Sequence, residues 1–133
     1  MPLLKFITNV PESHMACDLE LKLSSKLKEC ISQWKEQYFT VWLLPGQRII
    51  RGRDNSPNAI IEIYCCAAFY DAEINRKITR LLIEFGSNEL GIQQDRMSVL
   101  LYRPRTDCVG LANGTLVSDL VSEQSSQTLP TWE

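Results

Sequence analysis

The sequence has a single histidine, little net charge and no long apolar run. His14 is the one histidine, and none of the five cysteines belongs to a CxxC motif. Because zinc sites use paired ligands at short spacing, we predict no metal site, and we assign no cofactor. A net charge of −2 provides no field that would attract nucleic acid. No segment approaches the roughly 18 apolar residues of a membrane span, so membrane insertion is not expected.

The first residues and the cysteines bear on the cellular compartment. Lys5, Asn9 and Pro11 interrupt any apolar core of a secretory signal. The number of cysteines is odd, and the adjacent Cys65 and Cys66 would point to opposite faces of a strand, so reduced thiols are expected. We therefore predict a cytoplasmic protein.

The first half of the chain has a strand, helix, strand pattern. Residues 2–8 read as a strand, and residues 38–44 read as a second strand that stops at Pro45. Between them, Asp18 is a plausible helix N-cap. Apolar residues follow it at helical spacing: Leu19, Leu23, Leu27, Cys30 and Ile31.

The second half repeats this order. Residues 59–67 are predicted as a strand, a helix begins near Asp71, and residues 96–103 form the matching strand. The predicted buried stripe of the helix is Ile74, Ile78, Leu81, Leu82 and Phe85. The halves are therefore predicted to be two pseudo-symmetric βαβ units.

The two units predict an α+β domain over residues 1–117, with a four-stranded mixed sheet. Right-handed crossovers would place both helices on one face of the sheet. The strands are too apolar for the other face to remain in water, so self-association is expected. The polar residues 118–133 lack periodicity and are predicted to be a disordered tail.

Pro2 follows the initiator methionine, whose removal would leave a secondary amine at the chain end. A terminal amine titrates nearer neutrality than lysine, and an apolar pocket would favour its neutral form. Such an amine suits general acid–base catalysis. The alternative is that Pro2 merely opens a strand at a position where no ladder donor is needed. On Pro2 alone, the second interpretation is favoured.

Several motifs in order resemble one known family. They are Pro2, the Thr8–Pro11 turn, the two βαβ units, and Val109-Gly110 ahead of Asn113-Gly114-Thr115. Over residues 1–117 the chain resembles the macrophage migration inhibitory factor and D-dopachrome tautomerase family. This resemblance implies a homotrimer in which short edge strands extend the sheets of neighbouring subunits.

The same resemblance implies keto–enol tautomerase activity of the phenylpyruvate or dopachrome type, on a small aromatic keto or enol acid, with Pro2 as catalytic base at a subunit interface. It also implies non-classical export as a route to the extracellular space. Two rival interpretations stay open. One is a cytokine-like trimer that binds a cell-surface receptor with little catalysis, and the other is a scaffold that docks through residues 118–133.

The resemblance implies three substrate-binding residues besides Pro2. Lys35 is the candidate for the substrate carboxylate, and we expect it at the end of the first helix, with Glu36 as a competitor for its charge. The backbone of Cys66 would donate to substrate, although the family's glycine in that stretch is replaced by Ala67. Val109 would line a pocket that is more aliphatic than is usual in the family.

Other clusters are weaker. Arg48, Arg51 and Arg53 could bind an anion, but a solvated loop is the simpler interpretation. Asn113 begins a formal glycosylation sequon that is better read as a tight turn. His14 is expected in a surface loop.

Overall fold

The computed structural model describes residues 2–121. Within that range the regular elements, in chain order, are β1 (Leu3–Thr8), α1 (Leu19–Cys30), β2 (Thr40–Leu44), β3 (Ala59–Tyr64), α2 (Ala72–Leu90) and β4 (Met97–Tyr102). Neither of these helices combines the length and apolar character needed to cross a bilayer. The predicted tail lies outside the described residues from position 122 onward.

The four strands form one mixed sheet in the order β2-β1-β3-β4. Strands β1 and β2 are parallel, as are β3 and β4, and the antiparallel pairing of β1 with β3 joins the two halves. Helix α1 contacts α2 and β2, and α2 contacts β4, so both helices cover the same face of the sheet. The predicted α+β architecture of two βαβ units is confirmed.

Alternate strand residues face the helices and form the core. Leu4 and Phe6 of β1, with Ile61 and Ile63 of β3, are at most 1% exposed. This period of two follows from the pleat of a strand, which sends successive side chains to opposite faces. The helices complete the core with a stripe of fully or almost fully buried residues: Leu19, Leu23, Leu27, Ile78, Leu82 and Phe85.

The face of the sheet opposite the helices, called here the open face, carries aromatic and charged side chains. The Nζ of Lys5 lies 5.1 Å from the ring centroid of Trp42 and 5.6 Å from that of Tyr64. The rings of Tyr64 and Tyr102 stack at 4.6 Å. Trp42 is 49% exposed, so one chain alone leaves large apolar surface on this face.

Three element boundaries differ from the sequence predictions because of local backbone contacts. Helix α1 ends at Cys30, before Lys35. Strand β2 begins at Thr40 because residues Glu36–Tyr38 form a single 3-10 turn ahead of it. Strand β3 ends at Tyr64, since the chain turns at Ala67, whose φ is +53°.

Three side chains also differ from the expected burial. Ile74 was expected in the buried stripe of α2 but is 43% exposed, because it lies in the first helical turn, ahead of Ile78. Leu81 was expected in the same stripe but is half-buried. Val121 falls in the predicted tail and is only 7% exposed.

Candidate active site

Pro2 is buried immediately ahead of the central strand β1. Its carbonyl oxygen accepts a hydrogen bond from the Thr40 N–H at 3.0 Å, which ties it to β2. On the other side, Leu3 pairs with Tyr64, so the next step of the antiparallel register places Cys65 opposite Pro2. Pro2 is thus held between two neighbouring strands.

The segment that follows β3 is fully buried at Cys65, Cys66 and Ala67. The Cys65 N–H donates to the Tyr102 carbonyl at 3.0 Å, which continues the pairing with β4. Burial raises the pKa of the Cys65 thiol to about 12, although the nearby Trp34 side chain acts in the opposite direction. This thiol is neutral near pH 7, so Cys65 contributes packing and no charge.

Ala67 takes up a backbone conformation that normally favours glycine. Its φ of +53° lies in the left-handed region, where a Cβ atom costs roughly 1–2 kcal/mol. The turn therefore keeps this conformation although the expected glycine is absent. Phe69 has a φ of +66°, and its carbonyl accepts a hydrogen bond from Asn75 Nδ2 at 3.0 Å. A second strained position follows the predicted backbone donor at Cys66.

Lys35 lies in an irregular segment, not at the helix end where it was expected. It is exposed and directly precedes the Glu36–Tyr38 turn, whose Tyr38 N–H donates to the Lys35 carbonyl at 3.0 Å. Glu36, the expected competitor for the charge of Lys35, has another partner. Its carboxylate accepts a 2.8 Å hydrogen bond from Ser24 Oγ on α1. Lys35 stands five residues before Thr40, the hydrogen-bond partner of Pro2.

Val109 lies in a hairpin that follows β4. Its carbonyl accepts a 3.0 Å hydrogen bond from the Val117 N–H, and an isolated bridge pairs Gly110 with Leu116. Asn113 turns the hairpin with a φ of +63°, which confirms the predicted tight turn. Leu111 is 39% exposed beside it.

The topology brings all four predicted site residues to one end of the sheet. Pro2 stands at the start of β1, and Lys35 precedes the start of β2, which runs parallel to β1. Because β3 is antiparallel to β1, β3 finishes at the end of the sheet where β1 starts, and Cys66 follows β3 there. Strand β4 is parallel to β3, so the hairpin with Val109 leaves the sheet there as well. This end of the sheet is the candidate active site.

Residues 32–38 are called here the Lys35 segment. Three residues that restrain this segment were not singled out by the sequence analysis. Trp34 is 3% exposed, and Lys28 and Ser24 reach the segment from α1. A tryptophan between polar residues was the available signal for the first. The partners of Lys28 and Ser24 depend on how the chain folds back, which periodicity does not show.

Two arginines of the predicted cluster, Arg48 and Arg51, have different surroundings. Arg51 Nη2 donates to Ser98 Oγ at 2.7 Å. Arg48 instead lines a cleft of about 690 Å³ with Asn9 and Asn55, at the opposite end of β1 from Pro2. His14 is exposed in a short turn. Among residues 2–121, no three His, Cys, Asp or Glu side chains are grouped so that they could hold a metal ion.

Comparison with known proteins agrees with this fold. The family model Macrophage migration inhibitory factor (MIF) matches residues 1–118. The MIF-like protein mif-2 of Caenorhabditis elegans is 29% identical over 119 residues, which cover 90% of this chain and 97% of the relative. The D-dopachrome decarboxylase of Mus musculus is 24% identical over 102 residues, covering 77% and 86% of the two chains.

A solved structure shows the same fold. The macrophage migration inhibitory factor of Oncomelania hupensis superposes with a TM-score of 0.81 at 20% identity, over 87% of this chain and 82% of that chain. The family match spans both βαβ units and the hairpin that contains Val109. The chain belongs to the macrophage migration inhibitory factor family.

Proposed function

We propose that this protein is a keto–enol tautomerase in which Pro2 is the catalytic base once Met1 is removed. The single observation that carries the proposal is the burial of Pro2 at the end of the sheet where Lys35, Cys66 and Val109 also lie. A buried amine is disfavoured in its charged form, so the proline nitrogen would be available to accept a proton. General base catalysis requires such a neutral group near the working pH.

The proposed reaction moves one proton and changes no oxidation state. The neutral Pro2 nitrogen takes the proton from the enol oxygen of a phenylpyruvate-like acid, and the electron pair of that O–H bond forms the carbonyl. The same nitrogen then returns a proton to the adjacent carbon, where the carbon–carbon double bond is lost. The Lys35 ammonium would bind the carboxylate, and the backbone at Cys66 would donate to a substrate oxygen.

The substrate class is a small keto or enol acid with an apolar body. Leu111 and Leu116 are 39% and 36% exposed on the hairpin after β4 and would offer aliphatic surface to that body. The mouse relative is a D-dopachrome decarboxylase, which makes a dopachrome ester the second substrate to test.

We further propose that the chain works as a homotrimer. Its open face exposes Trp42, Leu100 and Tyr102 by 39 to 49%, which is unfavourable for an isolated sheet. Association of three copies would cover this surface and would close the candidate site against a neighbouring subunit. The expected mass in solution is about three times the 15.2 kDa of one chain.

The test is tautomerisation of phenylpyruvate and of dopachrome methyl ester by protein whose intact mass confirms an unblocked Pro2. Pro2→Gly removes the secondary amine, and an alanine inserted before Pro2 keeps the ring but turns its nitrogen into an amide. Both changes should abolish turnover. Pro11→Gly is the matched control, since Pro11 is exposed beyond the other end of β1.

Turnover that survives both changes at Pro2 would contradict the proposed mechanism. An unblocked trimer without turnover would instead favour the second function, receptor binding outside the cell. Binding to a cell surface by the secreted or added trimer would then be the measurement to make.

A further inference from the structure

The carbonyl groups just beyond helix α1 are bound by a lysine of its last turn. Lys28 Nζ donates to the Ser32 carbonyl at 2.9 Å and to the Trp34 carbonyl at 2.6 Å. A lysine at this end of a helix also interacts favourably with the partial negative charge of the terminal carbonyls. Lys28 thus fixes the path of the chain directly ahead of Lys35.

The same segment is anchored from inside the molecule by Trp34. Its side chain is 3% exposed and lies close enough to the Cys65 thiol to lower the pKa of that thiol against the effect of burial. By the antiparallel register, Cys65 is the residue opposite Pro2. The ring of Trp34 meets that of Tyr38 edge to face, with centroids 6.5 Å apart. Trp34 therefore connects the Lys35 segment to the strand that borders Pro2.

A third contact restrains the residue on the other side of Lys35. Ser24 Oγ donates to the Glu36 carboxylate at 2.8 Å, so both neighbours of Lys35 are tied to α1 or to the core. An exposed lysine has a long flexible side chain, and ordering it costs free energy when it binds a ligand. Because the backbone is already fixed on both sides of Lys35, ligand binding has to order only the lysine side chain.

We propose that Lys28 is a positioning residue that holds the Lys35 segment in register with Pro2, so that Lys35 meets the substrate carboxylate. This inference rests on the proposed function. Lys28 acts only through the carbonyls of Ser32 and Trp34, so its contribution belongs to substrate binding and not to the proton transfer at Pro2.

The test compares Lys28→Met with Lys26→Met. Lys26 is the matched control, because it is also half-buried on α1 but pairs with Glu29 at 3.3 Å in its own helix. Lys28→Met should raise the KM for phenylpyruvate roughly three- to tenfold, the effect of losing about 1 kcal/mol of hydrogen bonding, with kcat nearly unchanged. Lys26→Met should leave both constants at their original values. Lys28→Arg keeps a donor at this position, so its KM should stay close to that of the unmodified protein.

A second measurement separates positioning from a general loss of stability. The Tyr38 and Phe39 amides donate to the Lys35 and Glu36 carbonyls, both at 3.0 Å, so their hydrogen exchange should accelerate in Lys28→Met and not in Lys26→Met. In a Lys35→Ala background, Lys28→Met should raise KM no further, because the two residues act in series.

The outcomes distinguish the two proposals. Turnover that depends on Pro2, with an unchanged KM in Lys28→Met, would overturn the positioning role alone. Additive effects of Lys28→Met and Lys35→Ala would also overturn it. Absence of Pro2-dependent turnover in the unmodified protein would overturn the proposed function, and the positioning role with it.

Discussion

The Thr40 N–H donates a 3.0 Å hydrogen bond to the Pro2 carbonyl, which joins the first residue of the candidate site to the start of β2. The donor belongs to the chain that leads from Lys35, five residues earlier. One backbone contact therefore joins Pro2 to the chain segment that carries Lys35.

Replacing Thr40 by proline should separate Pro2 from β2. The preceding Phe39 already has the extended conformation that a following proline requires, with φ −81° and ψ 135°, so the main loss is the N–H donor. We expect Thr40→Pro to lower Pro2-dependent turnover at least tenfold and to destabilise the fold by about 1 kcal/mol. Thr40→Ala keeps the N–H and should retain turnover. Equal turnover in the two variants would show that this contact does not position Pro2.

Ala67→Gly should stabilise the protein. Relief of the left-handed conformation at φ +53° outweighs the added freedom of glycine in the unfolded chain, giving a net gain of about 0.5–1 kcal/mol. Ala68 is the control, because it is also buried but lies outside the residues with positive φ, so Ala68→Gly should destabilise. Urea unfolding of both variants decides the matter. A loss of stability in Ala67→Gly would contradict the assignment of strain.

The Cys65 thiol should make folding sensitive to alkaline pH. Its pKa is raised by burial from 9.0 to about 12, so between these values the folded chain keeps a proton that the unfolded chain releases. The contribution of the protonated thiol to the free energy of unfolding is complete below pH 9. It falls by about 1.4 kcal/mol per pH unit as the pH rises from 9 towards the pKa of the folded state. Unfolding of Cys65→Ala should show a shallower decline above pH 9. An identical decline in both proteins would rule out Cys65 as its source.

A charge on the open face should disrupt the proposed trimer. Trp42 is 49% exposed there, and Trp42→Glu would place a carboxylate in the expected interface. We expect a monomer by analytical ultracentrifugation at concentrations where the unmodified chain is trimeric. Leu21→Glu is the control, since Leu21 is 71% exposed on α1, which covers the opposite face of the sheet. A trimeric Trp42→Glu variant would indicate that another surface mediates association.

The sequence predicted the architecture because the core residues alternate with the period of the element that carries them. Leu4, Phe6, Ile61 and Ile63 mark one face of two strands, and this pattern survives in the folded sheet. The second helix was predicted to begin near Asp71, whose side chain accepts a hydrogen bond from the Glu73 N–H at 2.8 Å and so caps α2.

The surroundings of the candidate site were harder to predict because contacts distant in sequence shape them. Helix α1 ends before Lys35, and Lys28 binds two carbonyls of the irregular segment that follows. The turn at Ala67 requires a left-handed conformation that alanine does not favour by itself. Neither leaves a periodic signal. Lys35, Cys66 and Val109 were identified by resemblance and Pro2 also by its place at the chain end, and the roles of all four stay predictions.

The central place of β1 has a consequence for how the protein matures. If Pro2 acts as a free amine, the peptide bond before it must be cut while an aminopeptidase can still reach it. The strands that flank β1, at residues 40–44 and 59–64, are synthesised only afterwards. Processing on the ribosome would thus precede closure of the sheet, and any amino-terminal tag left in place would extend from a buried residue of the candidate site.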